Sequence, residues 1–147
     1  MIQDDVYRHT LQGTIEGLRY WVPSIADVAH IAEGGGPDFW HLDVAPKSAG
    51  GCSFEMLLRH DQHYDLVLAD QSYEFLPVPS LAIFLPLAEA IIEGRVVQRR
   101  WTSTQTGALR AVETLVKLGD GSVWREGSSQ PGEGCESRDH HFLPYRR

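Results

Sequence analysis

The chain has 147 residues, 42% of them hydrophobic and 22% charged, which suits one domain that buries a core without metals or disulfides and excludes wholesale disorder. A formal net charge of −7 speaks against generic nucleic-acid binding. The longest apolar run, residues 81–92, is interrupted by Pro86 and Glu89 and falls short of the about 20 residues a membrane-spanning helix needs.

The opening Met1-Ile2-Gln3-Asp4-Asp5 carries acid where an export signal carries base, so a cytoplasmic setting is expected, with Cys52 and Cys135 as reduced thiols. Val6, Leu11, Ile15, Leu18 and Val22 fall near one helical face, and this spacing predicts a first helix over residues 4–20. Pro23-Ser24 is a start signal, Ile25, Val28 and Ile31 form a short apolar stripe, and Gly34-Gly35-Gly36 reads as a stop. Together they predict a second helix, with a strand as its rival. A strand is expected over residues 39–44, then a hairpin of residues 53–59 and 64–71. In its second arm Tyr64, Leu66 and Leu68 share one face, and Asp65, Val67 and Ala69 the other.

Pro77, Pro79 and Pro86 punctuate the following segment, so a third helix is expected only over residues 86–93, closed by Gly94, with residues 80–85 irregular or extended. Alternation in residues 96–104 and 109–118, a tight Gly119-Asp120-Gly121 reversal and Ser122-Val123-Trp124-Arg125 then predict an antiparallel meander. The expected fold is α+β: a curved antiparallel sheet of five to six strands packed with about three helices, in one domain over residues 1–126. Residues 127–147 read as a Gly/Ser/Pro-containing tail, whose closing His141-Phe142-Leu143-Pro144-Tyr145 is apolar enough to dock.

Charge is unevenly spread. Residues 1–90 hold four basic side chains against thirteen acidic ones, whereas residues 95–118 hold five basic ones against Glu113 alone. The basic meander could therefore steer an anionic ligand, with Arg99 and Trp101 on one face and Arg100 on the other as ligand-binding candidates. For acid–base chemistry the candidates are His41 with Asp43, two apart and hence on one strand face, and Asp61 with His63. His60-Asp61-Gln62-His63 with Asp65 is the densest set of metal-ligating types, but it falls at a hairpin tip with little to orient it, so no metal or cofactor is assigned. Cys52 has no neighbouring cation that would activate it, and the three glycines follow a helix-like segment, opposite to a dinucleotide fingerprint.

The order of two helices, strands, a third helix and a terminal meander over residues 4–126 resembles the cone-shaped cup of the nuclear-transport-factor-2-like superfamily, with one strand more than that layout has before the third helix. The resemblance implies a pocket lined by Phe84, Ile91, Trp101, Val112 or Leu115, and a tendency to dimerise. Two functions are expected in turn. The first is a non-enzymatic domain that binds a small apolar or anionic ligand or a protein partner through the meander, an acidic inhibitor of a basic protein being one case. The second is a small cofactor-free isomerase or hydrolase using one of the His/Asp pairs in a cavity. Neither nucleic acid nor membrane is expected as a partner.

Overall fold

A computed structural model describes residues 2–128 and 132–146. Helix α1 spans Asp4–Trp21, with Asp4 and Asp5 in its first turn and Arg19 in its last, where each favours the helix dipole. Tyr7, Leu11, Ile15 and Leu18 form its buried stripe, whereas Val6 is 50% exposed, so Tyr7 holds the inward position the spacing gave to Val6.

The expected second helix is absent among the described residues. A 3-10 turn at Val22–Ile25 leads directly into strand β1, Ala29–Gly36, whose glycines lie in the sheet and do not stop a helix. They pair with β2, Phe39–Pro46, in the register Gly34↔His41, Gly35↔Trp40 and Gly36↔Phe39. A Cβ on Gly34 would lie 2.5 Å from His41 Nε2, and one on Gly36 would lie 3.2 Å from the Phe39 ring. The rings of β2 thus lie over bare glycine backbone, a packing that offsets the weak strand preference of glycine.

Strands β3, Phe54–Arg59, and β4, His63–Leu68, form the expected hairpin, and β5, Gln71–Pro77, follows a reversal at Ala69, which has φ 55°. These five strands make one antiparallel sheet in chain order. Its inner face carries Trp40, Leu42, Val44, Phe54, Met56, Leu58, Tyr64, Leu66 and Leu68, all buried. Helix α2, Phe84–Ile92, follows a 3-10 turn at Leu81–Ile83. It begins two residues before the expected start because Pro86 then falls in the first turn, where its missing N–H is not needed.

The basic meander forms as β6, Val96–Ser103, β7, Leu109–Lys117, and β8, Val123–Gly127. It belongs to a second sheet, ordered β8-β7-β6-β9, so the single sheet of five to six strands is corrected to two sheets of five and four. Strand β9, Cys135–His141, comes from the expected tail and pairs antiparallel with β6. Of the expected linker, residues 129–131 lie outside the described residues.

Polar contacts tie the two sheets together over the core. Trp124 Nε1 donates to the Tyr64 hydroxyl at 2.8 Å, the Tyr73 hydroxyl bonds Thr114 Oγ1 at 2.6 Å, and the fully buried Gln98 donates to the Leu68 carbonyl at 3.1 Å. Each pairs a buried polar group that would otherwise cost stability.

Candidate functional site

The outer face of the five-stranded sheet is where polar chemistry gathers. Side chains alternate along a strand, so antiparallel register sets Ala32, Asp43, Glu55, Val67 and Ser72 in one row across the sheet, and Gly34, His41, Leu57 and Asp65 in the next. Two open hollows lie along these rows. One of about 410 Å³ is bordered by His30, Ala32, Asp43, Ser53, Glu55 and Val67, and one of about 310 Å³ by His41, Asp43, Glu55, Leu57, Asp65, Ser72 and Glu74.

Asp43 and Glu55 stand directly opposite each other across β2 and β3. Like charges in that relation repel and destabilise a sheet. Glu55 is exposed and makes no ion pair among the described residues, and the ion-pair partner of Asp43 among them is the imidazole of His41, Nδ1 to Oδ1 3.4 Å. Replacing Glu55 by Gln keeps the shape and removes the repulsion, so E55Q is expected to raise unfolding free energy by about 0.2–1 kcal/mol in urea titrations at neutral pH, and the gain should vanish in an Asp43→Asn background.

Asp65 has a different role. It accepts from Arg59 Nη2 at 2.6 Å and from the Phe75 backbone N–H at 2.8 Å. Phe75 has φ 53°, a left-handed conformation a bulky residue adopts at a cost, beside a register shift in the β4–β5 ladder. Its ring, on a residue 58% exposed, stacks on His63 at 3.9 Å with an interplanar angle of 6°, and Arg59 lies 6.0 Å from its centroid. An apolar ring is thereby set against His63 and Arg59 at the end of an acidic surface.

Both expected acid–base pairs are assembled. His41 and Asp43 meet on the sheet face as alternation required, and His63 Nδ1 lies 3.4 Å from Asp61 Oδ1 at the hairpin tip. The His41 and Asp43 side chains are 34% and 40% exposed, so the pair sits on an open surface. Among the described residues no group of three or more His, Cys, Asp or Glu side chains is placed to hold a metal ion.

The ligand-binding candidates do not converge. Phe84 is fully buried and meets Tyr64 edge-on at 5.1 Å, so it belongs to the core. Arg99 and Trp101 lie on the outer face of β6, with Val97 and Leu115, whereas Arg100 lies on the other face with Val96 and Gln98. Both guanidiniums are occupied: Arg99 clamps Asp139 at 2.8 and 3.2 Å, and Arg100 holds both oxygens of Asp70 at 3.1 and 3.0 Å. These pairs hold the carboxyls of Asp139 and Asp70 below the usual range, chiefly through the arginine hydrogen bonds. Of the cup residues, Ile91 is fully buried and Leu115 pairs with Val97 on the outer face, so no shared pocket joins them. Cys52 is fully buried and burial pushes its thiol up to about 12, which leaves it protonated and unreactive at neutral pH.

Sequence reading passed over Glu55, Glu74 and Phe75. The signal for Glu55 was present, since alternation in residues 54–59 puts it on the face of Asp43 once the hairpin register is known. Phe75 gave none, because its outward turn comes from a bulge. No family model, curated protein or solved structure matches the chain.

Proposed function

We propose that the protein is a non-enzymatic binding module whose contact surface is the outer face of the five-stranded sheet, and that its partner is a protein presenting lysine and arginine. The observation that carries this reading is the juxtaposition of Asp43 and Glu55. A folded chain gains nothing from facing two carboxylates across a ladder, whereas a basic partner would turn that cost into attraction. Glu74 at the rim of the same hollow adds charge, and the exposed, preorganised Phe75 is suited to anchor a desolvated contact.

This moves the proposed surface away from the meander, where the two candidate guanidiniums, those of Arg99 and Arg100, are engaged within the chain. It also ranks binding above acid–base catalysis. An isomerase or hydrolase would hold its pair in an enclosed apolar cavity, and here the hollows are open and every buried side-chain nitrogen and oxygen among the described residues is hydrogen-bonded.

The test is affinity capture from the cells that make the protein, comparing the wild-type chain with Asp43→Lys/Glu55→Lys. A basic protein should be retained by the wild type, with an affinity that falls as salt rises, and its binding should weaken about a hundredfold in the double variant. Equal retention by both chains, or co-purification of an anionic small molecule that is lost on Arg99→Ala, would overturn the reading.

A further inference from the structure

The edge of the five-stranded sheet at β1, which borders the acidic face at His30 and Ala32, presents a second contact surface through its backbone. Strands β1, β5, β8 and β9 end the two sheets, and three of them are defended against pairing with another chain. β5 is bulged and carries the left-handed Phe75 and Pro77, β8 has five residues, and β9 carries Glu136, Arg138 and Asp139. β1 has eight residues, no lysine, arginine or proline, and unbroken register with β2. His30, Ala32, Glu33, Gly35 and Gly36 are exposed along it.

Register identifies the backbone groups left over. The Lys47 N–H donates to the Val28 carbonyl at 2.9 Å, and the next pair is Ala29↔Pro46. Bonded and non-bonded pairs alternate in an antiparallel ladder, so His30, Ala32, Gly34 and Gly36 spend their backbone groups on β2. Ala29, Ile31, Glu33 and Gly35 turn theirs outward. Pro46, which has no N–H, stands opposite Ala29 as this alternation demands.

We propose that β1 pairs antiparallel with β1 of a second copy of this chain, about a two-fold axis through Ala32, joining two five-stranded sheets into one. In this register Ala29 faces Gly35 of the second copy and Ile31 faces its Glu33, so each outward backbone group meets a complementary one. Self-pairing also suits the side chains. Glu33, held by Arg19 and by Trp40 Nε1, faces Ile31 and no like charge, and Ala32 and the glycines allow close approach at and beside the axis.

Sedimentation velocity on the full chain tests this, over about 1–300 µM, the range expected of a contact made by one strand from each copy. The wild type should form a dimer whose population grows with concentration. Ile31→Pro removes an outward N–H while sparing the β2 ladder, and Ala32→Asp sets like charges together on the axis, beside Asp43 of each copy, at an exposed position that does not disturb the core; each should weaken the dimer at least about tenfold. The aspartate variant keeps the test decisive should the proline variant misfold. In a Cys135→Ser background, Ala32→Cys should cross-link to its own counterpart under mild oxidation. A wild-type chain that stays monomeric throughout, or a dimer that Ala32→Asp does not weaken, would overturn the proposal.

Discussion

Tyr145→Ala is expected to lower the unfolding free energy by about 3–5 kcal/mol, the cost of truncating a large buried ring, although the residue stands near the chain end. Tyr145 is 3% exposed, its backbone N–H donates to the Ile92 carbonyl at 2.9 Å, and its hydroxyl donates to the Cys52 carbonyl at 2.5 Å. It thus joins the end of α2 to the segment entering β3. Neighbours reinforce the docking: Leu143 N–H bonds the Gly50 carbonyl at 2.8 Å, and Arg146 clamps Asp27 with both terminal nitrogens. Gly94, at φ 78°, allows the chain to pass, since a Cβ there would lie 2.6 Å from Pro144 N. Urea unfolding followed by fluorescence measures the loss. Tyr145→Phe separates packing from hydrogen bonding and should cost about 1–3 kcal/mol, because it leaves the Cys52 carbonyl buried without this donor. A loss below about 1 kcal/mol in Tyr145→Ala would mean that the closing segment is not docked in solution.

Phe84→Ala is expected to cost about 3–5 kcal/mol in the same measurement, with partner binding unchanged per folded molecule. Phe84 is fully buried on α2, and its ring meets Tyr64, whose hydroxyl in turn accepts from Trp124. Removing it opens a cavity between helix and sheet and loosens the contact through which the two sheets meet. This outcome separates a core residue from a ligand-binding one. Loss of binding with stability intact would restore the pocket that the layout of the sequence suggested.

Much of the scaffold was legible in the residues. Leu11, Ile15 and Leu18 recur at helical spacing and are buried, and Tyr64, Leu66 and Leu68 alternate with Asp65 and Val67 and face the core. His41 and Asp43 were expected on one face because they are two apart, and they meet there at 3.4 Å. The three glycines misled for a physical reason. Glycine commonly ends helices, and its use in a strand depends on rings from the opposite strand that only pairing brings over it. The tail misled in a similar way: β9 has almost no apolar side chain, and its place in the sheet depends on an antiparallel ladder to β6 and on the docking of Tyr145.

The sequence by itself determined the α+β class, the amphipathic first helix, the meander and the sorting of side chains to strand faces, because periodicities of 3.6 and 2 are local properties of the backbone. Only the tertiary structure decided which charges remain available. Arg99 meets Asp139 forty residues away and Arg100 meets Asp70 thirty residues away, which occupies both candidate guanidiniums, while Asp43 and Glu55 are brought opposite each other with no lysine or arginine paired to either among the described residues. Charge pairing is set by which strands become neighbours, and strand neighbourhood follows from closing two sheets around one core.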